Sequence, residues 1–357
     1  MKTYLISLAI IAASVAILLL PGVGQKAADF LHDFGTRGGL ILQAVPGNTY
    51  QTYQAIGNAE DVSDRIFNIT PFDTPMLTLA GNGKAEATFT EWQTETLLSV
   101  NSNNAVIEGD DASNTAVQPT SRVGNYLQIS ERTFGITKIQ EAVKKYGRAS
   151  EIARQRVNFM RALKRDAETI VMSNQARVVG AAGTAQKLRG LPSWYATNTS
   201  RGATGANGST STAATDGTQR NLSELLIKTV MASCYSNGGQ PSVVMTGPIN
   251  RVNCSSQLSG GATKFYQVAD KELVATITVY QSDFGPLKFV PNRFQRERDL
   301  HMIDPDYIEI RYLESPQIQD LAVTGLARRQ QIWMTYTIAP LNEAAHGVVA
   351  DLNTAVL

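Results

Sequence analysis

The apolar positions of this chain change rhythm from segment to segment. Between Ser150 and Val179 the residues Ile152, Phe159, Met160, Leu163, Ala167, Ile170 and Val171 recur at the 3.6-residue period of a helix. Arg154, Arg161, Lys164, Arg165 and Glu168 fill much of the remaining surface. Ser150 is a good N-cap and neither Gly nor Pro follows before Gly180, which predicts a helix over 150–179, about 45 Å long. A second amphipathic helix is predicted over Asn221–Tyr235. Nearer the start, Asn58-Ala59-Glu60-Asp61 is a helix-start signature with Val62, Ile66 and Phe67 on the apolar face. Pro71 and Pro75 then force extended backbone.

Elsewhere the period falls to two. Ala87–Thr94 alternates as a strand does, and Tyr126–Phe134 is its natural return partner. Lys84–Lys138 therefore reads as a long two-stranded excursion, with the turn-rich stretches Asn101–Asn104 and Glu108–Asp111 between the strands. Two strands alone are marginal in water, so the hairpin needs a neighbour to cover it. Gly180–Gln219 is dominated by Gly, Ala, Ser and Thr and reads as a flexible surface connection anchored by Trp194. Short strands follow at Ser242–Thr246, Ala275–Gln281, Lys288–Val290, Ile308–Tyr312 and Gln330–Ile338. Helices mixed with strands, without a βαβ rhythm, predict an α+β fold.

Composition narrows the function. An apolar share of 43% and a charged share of 18% in 357 residues describe an ordered globular chain with a real core. Lys and Arg number 32 against 31 Asp and Glu, so no global field draws in nucleic acid. Cys234 and Cys254 are too few for a disulfide framework, and no His/Cys cluster has zinc spacing. Neither a metal nor another cofactor is indicated. Leu5–Leu20 is an apolar run after Lys2, broken by Pro21-Gly22, and has the pattern of a secretory signal. The change into polar sequence after Val45 supports another reading, in which residues 1–44 are an upstream segment outside the working protein and translation starts at Val45.

Catalytic motifs are absent. Asp283-Phe284-Gly285 lacks the other loops of a kinase and reads as a turn; Gly260–Lys264 lacks phosphate-loop spacing. Glu108, Asp110 and Asp111 could hold a divalent cation but read more simply as a solvated acidic turn. Arg293-Phe-Gln-Arg-Glu-Arg298 has the basic and aromatic mixture of a weak nucleic-acid patch, with inter-subunit salt bridges or a plain surface strand as the competing readings. A chain without a catalytic cluster, with a hairpin that needs a neighbour, an extended arm and a long helix, reads as a building block with no small-molecule substrate.

Ordered blocks then carry a resemblance. The stretch from Thr49 to Leu77, which includes TYQAIGNAEDVSDRIFNITPFDTPML, is followed by EWQTETL (91–97), NAVIEGDDA (104–112), GNYLQISERTFGIT (124–137) and LKRDAE (163–168). CYSNGGQPSVVM (234–245), VYQSDFGPLKFVPNRFQR (279–296) and NEAAHGVVADL (342–352) complete the series. Together they resemble a family of tailed-phage major capsid proteins with the Hong Kong phage fold. The resemblance implies an N-arm over 45–83, an extended loop over 84–138, and a peripheral domain over 139–220 with the 150–179 helix as its spine. It also implies an axial domain over 221–315 and a return to the peripheral domain over 316–357.

The function so implied is self-assembly of hexamers and pentamers into an icosahedral head around DNA, with portal, scaffold or decoration proteins as further partners. Phe67, Phe72, Phe89 and Trp92 are the candidate inter-subunit anchors, joined by Glu108, Asp110, Asp111, Arg293 and Arg296 as candidate contacts. For each aromatic, burial within its own chain is the competing reading. Two other functions remain open: an exported or membrane-tethered surface protein, and a nanocompartment shell of the same fold.

Overall fold

The computed structural model describes residues 68–356 apart from 113, 259–265, 269–271, 275–278 and 324. The signal-like segment, the predicted helix at 58–67 and Phe67 lie outside the described residues.

Pro75–Leu79 forms the short helix α1, with Pro75 at the first position, where its missing N–H costs nothing. Next come β1 (Gly81–Lys84), β2 (Phe89–Thr94), β3 (Ser121–Tyr126), β4 (Gln128–Thr137), α2 (Lys138–Ala142) and α3 (Glu151–Val171). Then follow α4 (Leu191–Trp194), β5 (Thr199–Ser200), α5 (Glu224–Ser236), β6 (Val243–Thr246), α6 (Pro248–Gln257), β7 (Tyr266–Val268), β8 (Glu272–Val274) and β9 (Val279–Ser282). The last elements are β10 (Gly285–Pro291), β11 (Leu300–Ile303), β12 (Ile308–Asp320), β13 (Ala327–Pro340) and β14 (Gly347–Val349). The architecture is α+β.

A four-stranded sheet runs β1-β12-β13-β4, with β1 parallel to β12 and the other pairs antiparallel. Helix α3 lies on it, because Leu163, Ala167 and Val171 share its apolar stripe and meet Phe134, Ile332, Met334 and Tyr336. A six-stranded sheet runs β5-β14-β11-β6-β10-β9. Its strands β6 and β11 are buried along their whole length, which is why they read as near-continuous apolar runs. Successive side chains point to opposite faces. Val244 and Met302 join Ile227, Val230, Met231 and Cys254 of α5 and α6, whereas Met245 and Ile303 join the core under α3. The two sheets thus share one apolar interior.

Four expectations are corrected. Helix α3 starts where predicted, with Ser150 Oγ accepting from Ala153 N–H at 3.2 Å, but it ends at Val171 and not at 179. Its end is fixed by tertiary bonds: Asn174 Nδ2 donates to Ala214 O at 2.6 Å, and Gln175 O accepts from Gly190 N–H at 3.0 Å. Gly190 permits that approach, since a Cβ there would fall 1.9 Å from Ser173 O. The partner of β2 is β3, in the register Phe89↔Tyr126 to Thr94↔Ser121, while Gln128–Thr137 pairs with β13. The 180–219 segment is packed, with Leu188, Leu191 and Tyr195 fully buried and a bridge at Ala206↔Thr215. Finally, Pro75, expected to force extended backbone, opens the helix α1.

Candidate assembly surface

The hairpin β2–β3 is seated on the body by its base. Gly124 allows the strands to close, because a Cβ there would lie 2.7 Å from Phe89 Cζ and 2.8 Å from Thr90 O. Beside it, buried Asn125 donates through Nδ2 to Ile338 O at 3.0 Å and to Arg189 O at 3.2 Å. Its Oδ1 accepts from Arg189 N–H at 2.8 Å and Tyr126 N–H at 3.0 Å. A single amide thereby ties the hairpin to β13 and to the segment before α4. Trp92 stacks on Trp194 with ring centroids 5.7 Å apart, and the Arg311 guanidinium lies 5.5 Å from its ring. Phe89 packs on Tyr126 at 4.6 Å under Arg177.

Beyond the paired strands the character changes. Among the described residues of 95–120 there is no helix or strand, and every hydrogen bond is local or goes to the hairpin's own strands. Yet this stretch carries Leu97 (88% exposed), Val100 (98%), Val106, Ile107 and Val117 (91%). So many aliphatic side chains with no cover form an unpartnered apolar surface on a segment too polar in backbone to fold on itself. Burying each on a neighbour would contribute about 1.5–3 kcal/mol.

Glu168, on α3, is fully buried and accepts three bonds: Met76 N–H at 2.8 Å, Leu77 N–H at 2.9 Å and Asn292 Nδ2 at 2.6 Å. Its carboxylate satisfies the open N-terminus of α1 and simultaneously ties down the residue that follows β10. Burial outweighs these bonds and raises its carboxyl above the usual range.

A second polar cluster joins the 200–220 segment to the chain after β14. Asp351 has φ +60°, a left-handed conformation, and its buried carboxylate accepts from Gly202 N–H (3.0 Å), Gly217 N–H (2.8 Å) and Arg298 Nη2 (2.8 Å). Arg296 donates to both oxygens of Asp216 at 2.6 Å and lies 3.5 Å from Asp299. Burial pushes the Asp299 carboxyl up to about 6, with Arg296 opposing it. His301, fully buried against Tyr195, is pulled down to about 3 by burial and by the nearby Arg296 and Arg201, so it is neutral. Cys234 and Cys254 are free, buried and pushed up to about 12 by desolvation, which makes them inert thiols.

The structure disperses the sequence-predicted contacts. Phe72 is exposed under the Arg161 guanidinium, 4.8 Å from its ring centroid. Phe89 is half-buried at the hairpin base, and Trp92 is spent on an intrachain stack, so its ring is not free for a neighbour. Glu108, Asp110 and Asp111 are exposed in a turn closed by Asp110 N–H to Ile107 O at 3.1 Å, with Gly109 at φ +87°. Arg293 is exposed, whereas Arg296 serves the intrachain network. Asp283-Phe284-Gly285 is the β9–β10 turn. Sequence reasoning missed the aliphatics of 97–117. Their signal was available: apolar residues inside a turn-rich stretch with no period to bury them.

The SU10 major capsid protein family matches residues 45–353. The major capsid protein of Escherichia phage Phieco32 is 31% identical over 128 residues, 36% of this chain and 36% of that one, so the alignment spans about a third of that relative. The fold is that of the cyanophage A-1(L) capsid asymmetric unit, with a TM-score of 0.59 at 13% identity over 85% of this chain and 98% of that one. The capsid of Myoviridae phage XM1 gives 0.51 at 12% identity, covering 86% and 100%. The holo-SrpI encapsulin of Synechococcus elongatus PCC 7942 also gives 0.51, at 8% identity, covering 84% and 94%.

Proposed function

Since the chain belongs to the SU10 major capsid protein family, we propose that its copies assemble as hexamers and pentamers into the icosahedral head of a tailed phage, enclosing DNA. The observation that carries this reading is the 95–120 stretch, whose aliphatics stand exposed with no cover among the described residues. A second copy supplies the missing cover, and the reciprocal contact around a ring sums many modest interfaces into one stable shell. The role is structural: the polar clusters at Glu168 and Asp351 are satisfied from within and hold elements in place. An encapsulin shares the fold, but the family match favours the phage head over a nanocompartment.

Residues 1–44 precede the matched region, which begins at 45. Membership of a capsid family supports a location in the virion and assembly in the host cytoplasm, with the signal-like segment outside the part that builds the shell. The test is electron microscopy of sedimented material from cells expressing the full chain or Val45–Leu357, each with and without Val100→Ser and Ile107→Ser. Closed shells, tubes or capsomer rings are expected from both parents and not from the serine variants. Shells of normal yield from the serine variants would refute the role of the stretch, and full-length protein exported to the periplasm would refute the localisation.

A further inference from the structure

On helix α3 every carboxylate is taken by a partner within the chain, while three of its cations are not. Glu151 accepts from Arg154 and Gln155, Asp166 takes a two-pronged bond from Arg132 (2.6 and 2.8 Å), and Glu168 is consumed by α1 and Asn292. Arg161, Lys164 and Arg165 are left without an ion pair among the described residues, and so is Arg293. Positions 164 and 165 each neighbour 161 on the helix surface, three and four residues on. The Arg165 guanidinium lies 5.4 Å from the ring centroid of Phe294, the residue after Arg293. In a chain with 32 cations and 31 anions, four uncompensated cations carried by one helix and the segment it touches are a local excess.

The two arginines are also held for use. Arg161 lies on Phe72 and Arg165 on Phe294, so one face of each guanidinium is fixed by a ring while its N–H edge remains for an acceptor. Fixed forks and a flexible ammonium suit phosphodiester oxygens and carry no base specificity, and Glu168, the carboxylate on the same turns, is buried and already satisfied within the chain.

We infer that this face, formed by Arg161, Lys164, Arg165 and Arg293, is the surface the protein turns toward the phosphate backbone of enclosed nucleic acid. The assignment rests on the shell reading for what lies inside, and it deepens that reading by naming which side of the chain is the lumen side. Global near-neutrality then has a physical use: contact is confined to one patch, so the DNA is lined and not gripped.

The test uses unassembled full-length protein, so the patch is read whether or not shells form, while sedimentation of the same preparations reads assembly separately. Fluorescence anisotropy with a 30-base-pair duplex is followed against NaCl for the parent, for Lys164→Gln with Arg293→Gln, and for the control Arg122→Gln with Arg328→Gln. Each phosphate contact contributes about 0.9 to the slope of log K against log salt, so the first pair lowers that slope by about 1.8 and the control pair leaves it unchanged. An unchanged slope in the first pair, an equal fall in the control, or preferential binding of polyglutamate would overturn the inference. Matching thermal melts keep misfolding out of the comparison.

Discussion

Replacing Glu168 with alanine removes the acceptor of three donors at once. Met76 N–H is fully buried and Asn292 sits in the core, so each is left facing apolar surroundings. An orphaned buried donor costs about 1–3 kcal/mol. Leu77 is only half-buried, and its N–H can recover a water. Relief of the desolvated carboxylate offsets part of the loss, and the cavity adds to it. The net expectation is a destabilisation of about 2–4 kcal/mol, from two orphaned buried donors at about 1–3 kcal/mol each less that offset. Glu168→Gln keeps one acceptor oxygen but points an NH2 at a donor, and should fall between parent and alanine. The folded carboxyl is raised, so its contribution to stability is complete below the ordinary glutamate value and is lost as pH climbs through the folded one. The gap between parent and alanine variant should therefore narrow from acid toward neutral pH. Urea unfolding of the unassembled chain at several pH values measures both quantities. A loss below about 0.5 kcal/mol at all of them would mean that α1 is not held by this carboxylate.

Other outcomes follow from the same geometry. Trp92→Ala should destabilise the unassembled chain by about 3–5 kcal/mol through loss of the Trp194 stack, read by chemical denaturation; an unaffected monomer with blocked assembly would restore Trp92 to the interface. Asp299→Asn should remove a pH dependence. In the parent the stability from this group is complete below about 3.8 and is lost as pH rises through about 6, so the urea midpoint of the parent should fall relative to the variant between pH 4 and pH 7. Asp351→Ala removes the acceptor of three donors and leaves at φ +60° a residue without the short polar side chain that favours that conformation, and should lower the melting temperature by several degrees, with Asp351→Asn intermediate. Neither Cys234 nor Cys254 should react with an aromatic disulfide reagent at pH 8 until the chain is unfolded by guanidinium.

Helix α3 was legible at its start because capping is local chemistry: Ser150 and the apolar stripe suffice to specify it. Its end was not, since nothing in Met172–Val179 forbids helix; the stop comes from Ala214 and Gly190, partners distant in sequence. The hairpin was legible as an excursion and misassigned in its second strand. Gly124 and Asn125 look like turn residues, yet one permits close approach and the other is a buried clamp. Gln128–Phe134 alternates convincingly because it truly is strand, in a different sheet, and only Tyr126 of the expected return strand faces β2. Aromatic content pointed to Trp92 as an interface anchor, but ring stacking made it structural, while the plainer Leu97 and Val100 carry the exposed surface. Arg296 looked like a surface cation because its partner Asp216 lies 80 residues away.

Strand β14 sits between β5 and β11, with Gly347 pressed so close to α5 that a Cβ would meet Val230 Cγ1 at 2.5 Å. Leu352 and Asn353 continue the stitching, bonding to Arg298 O and Arg220 O. A chain broken off before Gly347 therefore loses the strand that joins β5 to β11, and with it part of the cover over α5. The larger sheet is closed by a segment remote in sequence from most of the strands it joins, so its closure costs the entropy of long loops and not of short hairpins.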